Sequence, residues 1–245
     1  MIPILYVGPP GIGKTAKVLA EYDHAEILLL SACTEEDIAG LPYLLEPMPG
    51  SDRRGEGRTM PAFIQRLREH AAECPTETRC LFLDELDKAR REVADTLLSL
   101  IQSLTDFGLP ADCDIVAAAN PPAWGGGDGI SPAMASRFAI VDAAPDPVAW
   151  ATWARSVYAE HPAILRHIDM TVSRESPILE ATGDYAEDVY SARLTCPRTI
   201  ERAWQACIAG RADLVSGLVT TNAATAIIAC FAQPAPGEAK ARAIG

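Results

Sequence analysis

The chain opens Met1-Ile2-Pro3-Ile4-Leu5-Tyr6-Val7-Gly8-Pro9-Pro10-Gly11-Ile12-Gly13-Lys14-Thr15. An apolar run passes into a loop with three glycines, then into a lysine, a threonine and helix-forming residues. The run predicts a strand over Ile2–Val7, and the residues beyond the loop predict a helix over Lys14–Glu21. Between them, Gly8-x-x-x-x-Gly13-Lys14-Thr15 has the spacing of a phosphate loop in the strand–loop–helix setting that such a loop requires. Glycines let successive backbone N–H groups curl around phosphate oxygens without a Cβ in the way. The helix that follows points its positive end at the same place. The predicted ligand-holding stretch is Gly8, Pro9, Pro10, Gly11, Ile12, Gly13, Lys14, Thr15 and Ala16. Lys14 would reach the β- and γ-phosphates of a triphosphate, and the Thr15 hydroxyl would ligate Mg2+.

Working outward, the same alternation continues. Ala25–Ser31, Arg79–Leu83, Asp114–Ala119 and Phe138–Asp142 also read as strands. They are almost continuously apolar rather than alternating, as a parallel sheet covered on both faces demands. Helical patterns cover Pro61–Cys74 and Ala89–Leu104, with a short piece at Pro132–Ser136. The predicted class is α/β, a three-layer αβα core around a parallel five-stranded sheet. After Pro145-Asp146-Pro147 the β-branched runs vanish. Helices are predicted over Val148–Ala159, Ala163–Ile168, Tyr185–Leu194, Arg198–Ala209 and Leu214–Phe231. The predicted division is 1–144 for the α/β domain and 145–245 for a small all-α domain. Residues 40–60, rich in proline, glycine and charge, read as an insertion with the character of a loose hairpin.

Composition excludes several classes. The 245 residues carry 21 basic and 33 acidic side chains, a formal net charge of −12, which argues against a generic nucleic-acid surface. The seven cysteines (33, 74, 80, 113, 196, 207 and 230) contain no C-x-x-C pair, and with four scattered histidines they show no zinc spacing. They read as reduced thiols of an intracellular protein. No apolar run reaches the roughly 18–20 residues that span a bilayer. The N-terminus has no basic segment of a signal peptide, and Met1 leads almost at once into the first strand. The expectations are a cytoplasmic location, no membrane association and no N-terminal adaptor domain. Trp150 and Trp153, three apart on one helix, read as core of the C-terminal domain. His161 and His167 have no carboxylate or cysteine at ligand spacing.

A second motif narrows the chemistry. Arg79-Cys80-Leu81-Phe82-Leu83-Asp84-Glu85 is an apolar strand ending in two acids. Asp84 can hold the Mg2+ shell, and Glu85 can take a proton from an attacking water. An Asp-Glu pair after a strand also suits a helix N-terminus. Its pairing with the upstream phosphate loop favours the catalytic reading.

With both motifs in place, the chain resembles an AAA+ ATPase, and within that group the MoxR-like and dynein-related branch, including compact phage-type members. The resemblance implies a P-loop fold whose C-terminal helices form a lid. Asn120, at the end of the strand Asp114–Asn120, resembles sensor 1, which orients the lytic water; asparagine before proline is also a common turn former. Arg137, in Ser131-Pro132-Ala133-Met134-Ala135-Ser136-Arg137-Phe138, resembles the arginine finger that enters a neighbouring subunit's site. It also suits a helix C-terminus. Arg198, in Thr195-Cys196-Pro197-Arg198-Thr199, resembles sensor 2. A cation at a helix N-terminus is unfavourable unless an anion is near. Glu35-Glu36-Asp37 reads as a solvated helix start, and residues 43–60 as the branch's hairpin or as a variable loop, without an aromatic pore signature beyond Tyr43.

The implied activity is Mg2+-dependent ATP hydrolysis in a ring homo-oligomer, six subunits being the family expectation, coupled to remodelling of a protein partner in a MoxR-like chaperone role. Relatives often act with a protein bearing a von Willebrand type A domain. Two alternatives stay open: a nucleotide-gated assembly scaffold with little turnover, and a nucleic-acid loading or unwinding ATPase.

Overall fold

The computed structural model describes residues 2–45, 56–102, 108–124, 126–127, 130–182 and 192–233. The chain divides into two compact units: Met1–Gly8, Lys14–Pro122 and Gly126–Asp142 form the first, and Pro9–Gly13, Ala123–Gly125 and Ala143–Gly245 the second.

The first unit runs β1 (Ile4–Val7), α1 (Lys14–Glu21), β2 (His24–Leu29), α2 (Glu35–Ala39), β3 (Pro42–Leu44), β4 (Glu56–Arg58), α3 (Ala62–Glu73), β5 (Arg79–Asp84), α4 (Arg91–Gln102), β6 (Cys113–Ala119), α5 (Pro132–Ala135) and β7 (Ala139–Asp142). Its main sheet has the order β2-β5-β6-β1-β7, and every pairing in it is parallel. Side chains alternate between the two faces of a strand. Leu5, Leu81, Leu83, Ile115 and Ala117 therefore join one core with Phe63, Ile64 and Leu67 of α3 and Val93 and Leu97 of α4. Tyr6, Cys80, Phe82, Val116 and Ala118 are buried on the opposite face. There Lys17 of α1 lies over the Tyr6 ring, 4.5 Å from its centre. The three-layer α/β core is as the sequence predicts.

Double burial holds only for the central strands. β7 is exposed at every residue, and Ile140 is 55% exposed. An edge strand has one neighbour, and an apolar run does not say which strand that is. The 40–60 segment contributes an antiparallel pair, with Tyr43 opposite Gly57; residues 46–55 lie outside those described. Ahead of it, α2 starts with a capping box. Thr34 accepts the N–H of Asp37, and the Asp37 carboxylate accepts the N–H of Thr34 at 2.8 Å.

The second unit contains α6 (Pro147–Val157), α7 (Pro162–Val172), β8 (Glu180–Thr182), β9 (Arg193–Thr195), α8 (Pro197–Ile208), α9 (Val215–Leu218) and α10 (Thr221–Ala232). The start of α6 follows from its sequence: Asp146 accepts the N–H groups of Val148 and Ala149 at 2.9 and 3.0 Å, and Pro147 occupies a position that has no N–H to satisfy. The core centres on Trp204, which is fully buried. Trp150 stacks on it at 5.5 Å and Tyr158 meets it edge-on at 5.4 Å.

Four expectations need correction here. The unit is not all-α, because β8 and β9 pair antiparallel. The helix predicted over Tyr185–Leu194 is not formed where it is described: Arg193 and Leu194 belong to β9, and 183–191 lie outside the described residues. The helix predicted over Leu214–Phe231 is interrupted after Leu218, where Val219 is extended. The Thr220 hydroxyl lies 2.9 Å from that of Thr195, and the Thr220 N–H donates to the same oxygen at 3.0 Å. These long-range bonds offer the backbone an alternative to continued helix. Trp150 is core as expected, but Trp153 is 44% exposed; three helical residues turn it too far from the face that packs.

Candidate nucleotide site

Parallel pairing sets the site. Val7 lies opposite Ala119 on β1 and β6, and β5 runs alongside β6. The residues that follow these strands, Gly8, Asp84–Glu85 and Asn120, therefore gather at the carboxyl edge of the sheet, where open α/β folds place their ligands. The Gly8 N–H donates to the Ala119 carbonyl at 3.2 Å, extending the ladder by one rung into the loop.

Within the first unit, two side chains of the phosphate loop are tied to the far strands. The Lys14 ammonium donates to the Gly8 carbonyl and to Oδ1 of Asn120, both at 2.7 Å. The Thr15 hydroxyl donates to Oδ2 of Asp84 at 3.0 Å. Oδ1 of Asp84 accepts the N–H of Glu85 at 2.9 Å. Thr15 and Asp84 thus present two hard oxygens side by side, a donor set that suits Mg2+, which typically takes one or two protein oxygens and keeps several waters. Ala16 follows in the first turn of α1.

Glu85 has φ 57° and ψ 44°, a left-handed conformation uncommon for a side chain other than glycine. Its carboxylate pairs with the Lys88 ammonium at 2.9 Å. Strained backbone of this kind clusters at functional positions. Residues 86–88 form a single 3-10 turn behind it, and that turn carries a residue the sequence reading missed. Asp87 is 4% exposed, and its carboxylate accepts the N–H of Asn120 at 2.9 Å and that of Gly127 at 3.1 Å. A third acid three residues after Asp84 was the available signal. Its partners, 33 and 40 residues away, were not visible.

Within the second unit, Pro9–Gly13 associate with the start of α8. The Arg198 N–H donates to the Gly11 carbonyl at 3.2 Å. Gly11 has φ +74°, and a Cβ there would lie 2.6 Å from Sγ of Cys196 and 3.0 Å from Cβ of Arg198. Gly13, at φ +100°, is the second left-handed position of the loop. Thr199 fixes the entry to α8: its hydroxyl accepts the N–H of Cys196 at 2.9 Å and donates to the Leu194 carbonyl at 2.8 Å. Arg137 follows α5, where its guanidinium donates to the Ala133 carbonyl at 3.2 Å and the Ser136 hydroxyl at 2.9 Å. The structure therefore brings Lys14, Thr15, Asp84, Glu85 and Asn120 together, sets Arg198 against Gly11, and holds Arg137 in the turn after α5.

The sequence profile described as AAA domain (dynein-related subfamily) matches residues 3–138, more than half of the chain. The chain belongs to this AAA family. The match covers the phosphate loop, Asp84-Glu85, Asn120 and Arg137, and it accords with the α/β core. Among solved structures, the Thermotoga maritima RuvB Holliday junction branch migration motor aligns with 94% of this chain at 14% identity, with a TM-score of 0.45. Two substituted forms of the same RuvB align over 94% at 14% and 15% identity, with TM-scores of 0.45 and 0.41. This chain spans 61–62% of the length of those RuvB chains. Comparison with curated proteins gives no match. Among the described residues, no helix is long and apolar enough to cross a membrane.

All seven cysteines are free thiols. Burial pushes Cys80 and Cys113, on the two central strands, up to about 12, which leaves them protonated and inert.

Proposed function

We propose that this protein hydrolyses ATP with Mg2+, in a ring of its own copies, and couples the cycle to remodelling of a protein partner in the manner of a MoxR-like chaperone. The observation that carries the hydrolase reading is the Thr15–Asp84 hydrogen bond beside the Lys14–Asn120 hydrogen bond. Together they set a cation, two Mg2+-type oxygen donors and a polar amide at one edge of the sheet.

The roles follow from that chemistry. Gly11, Ile12, Gly13, Lys14, Thr15 and Ala16 turn backbone N–H groups to the phosphates, Gly8, Pro9 and Pro10, none with an N–H to spare, shape the loop, and the Lys14 ammonium supplies the positive charge. Thr15 and Asp84 hold the metal, which neutralises charge on the β- and γ-phosphates when bound. Glu85 accepts the proton of the attacking water, and Asn120 orients that water. Arg137 serves a neighbouring copy as the finger that stabilises charge on the transferred phosphoryl group. Arg198 reads the terminal phosphate from residues 145–245, the lid, and 1–144 form the nucleotide-binding domain. The cytoplasm is the proposed location, and a von Willebrand type A protein is one candidate partner.

Steady-state phosphate release with Mg2+-ATP, compared with ATP binding by calorimetry, tests the reading. Lys14→Ala is expected to lose binding, whereas Glu85→Gln binds and does not turn over. Tight binding with no phosphate release by the assembled wild-type protein would replace the hydrolase with a nucleotide-gated scaffold.

A further inference from the structure

We propose that His70, Cys74 and Glu77 form a binding site for a zinc-type transition-metal ion at the end of α3, on the edge of the sheet opposite the nucleotide site. One ligand atom from each lies within 4.8 Å of the other two. The spacing is His-x-x-x-Cys-x-x-Glu. His70 and Cys74 stand one helical turn apart, on one face of α3 and its C-cap, and Glu77 follows in the loop to β5. This is not a finger-type pattern, which is why residue spacing alone does not announce it.

The backbone that carries the three ligands is fixed. The Cys74 N–H donates to the His70 carbonyl at 2.8 Å, and the Glu77 N–H donates to the Cys74 carbonyl at 3.2 Å. Arg79 donates to that same carbonyl at 2.6 Å. Asp23 accepts both the N–H and the hydroxyl of Thr78 at 2.9 Å, and the His24 N–H donates to the Thr78 carbonyl at 3.0 Å. The loop is thereby stapled to the start of β2. Arg79, the nearby cation, is paired with Asp112, so its charge is offset.

The imidazole is held in place by a second ring. The ring of His70 stacks on that of His24 with centres 3.9 Å apart and planes 15° apart. Nδ1 of His70 and Nε2 of His24 are buried without a hydrogen-bond partner. Nε2 of His70 faces Glu77 at 3.1 Å. That pair alone would be an ordinary hydrogen bond; the adjacent thiol is what makes a metal-ligand set.

Tetrahedral zinc places its ligand atoms roughly 3.5 Å apart. Closing from 4.8 Å asks for side-chain rotation by the half-exposed Cys74 and the exposed Glu77 rather than backbone movement. Water would complete the tetrahedron. Imidazole and thiolate favour zinc and cobalt over magnesium, so this site would not compete for the metal of the nucleotide.

The test uses the full chain, freed of metal by chelation and titrated with Co2+ alone, without nucleotide. The expected result is one equivalent bound, with a thiolate-to-cobalt charge-transfer band in the near ultraviolet. Cys74→Ser should abolish that band. Glu77→Gln should keep it and weaken Co2+ binding about tenfold or more. Six cysteines remain in the Cys74→Ser protein as internal controls, and its circular dichroism reports folding. A wild-type titration without the thiolate band, or a band that survives Cys74→Ser, overturns the proposal.

Discussion

The Lys14 ammonium and Oδ1 of Asn120 meet at 2.7 Å, joining the phosphate loop to the end of β6 across 106 residues of sequence. The amide oxygen faces the lysine, so the amide NH2 points away from it. Removing the side chain should leave phosphate binding to Lys14 and the backbone while losing the group assigned to orient water. Asn120→Ala is expected to retain ATP affinity within a few fold and to lose about a hundredfold in turnover. Calorimetry and phosphate release on the same preparation separate the two. A loss confined to affinity would make Asn120 a brace for Lys14 and nothing more.

Asp87 positions the same asparagine through its backbone. Its buried carboxylate satisfies the N–H groups of Asn120 and Gly127. Asp87→Ala would strand two donors, at about 1–3 kcal/mol each. Asp87→Asn keeps the volume and one acceptor. The alanine variant is expected to melt lower by roughly 4–10 °C, and the asparagine variant by less than half as much. Scanning calorimetry checks the order. Equal melting temperatures for wild type and Asp87→Ala would show that the two N–H groups find other partners.

Gly11 combines a left-handed backbone with close approach by Cys196. Gly11→Ala meets both penalties: about 1 kcal/mol for the conformation, and a Cβ–Sγ approach of 2.6 Å. Loss of ATP affinity and a lowered melting temperature are expected. Adding Cys196→Ala removes the sulfur and should recover part of the loss, whereas Cys196→Ala alone should change little. Strict additivity in this cycle would clear the sulfur and leave the cost of Gly11→Ala with the backbone and Arg198.

How much of this was legible depends on the range of the interactions. The phosphate loop, α1 and the central strands β5 and β6 are local signals: glycine spacing, and apolar runs that only double burial explains. Asp84 and Glu85 stand where a strand ends, so sequence places them as well. Asp87 was missed because its partners come from β6 and the loop after it. The break after Leu218 was missed for the same reason, since Thr195 reaches it from β9. The β8–β9 pair was missed because strands of three residues carry too little periodicity to read. Sheet order decides that Ile140 is exposed and Phe82 is not; composition makes both look like core.

His167 ties stability to pH. It is fully buried, edge-on to Trp204 at 5.7 Å, with Nε2 3.0 Å from the Ser176 hydroxyl. Burial lowers its pKa from 6.5 to about 4. The folded-state value is the lower one, so the unfolded chain takes up the proton first as pH falls. Its contribution is complete above about pH 6.5 and is lost progressively down to about pH 4. Between pH 7 and pH 5 the loss should be on the order of 2 kcal/mol. Urea unfolding at the two pH values is expected to show it, and His167→Gln should flatten that difference whatever its effect on stability at pH 7. An unchanged difference in the variant would assign the acid sensitivity to other groups.

Arg137 offers the sharpest test of the ring. Its guanidinium bonds to Ala133 and Ser136 of its own chain, contacts that are half-exposed and of little consequence for stability. A finger acting in the neighbouring copy predicts complementation. Arg137→Ala keeps Glu85 but has no finger to offer; Glu85→Gln keeps the finger but has no base. Each alone is expected to be nearly inactive, the first by about 10³-fold or more. In a mixed ring, an Arg137→Ala subunit receives the finger of a Glu85→Gln neighbour, so phosphate release should rise above both parents and peak at intermediate mixing ratios. Activity that only interpolates between the parents would mean that Arg137 acts within its own chain or not at all.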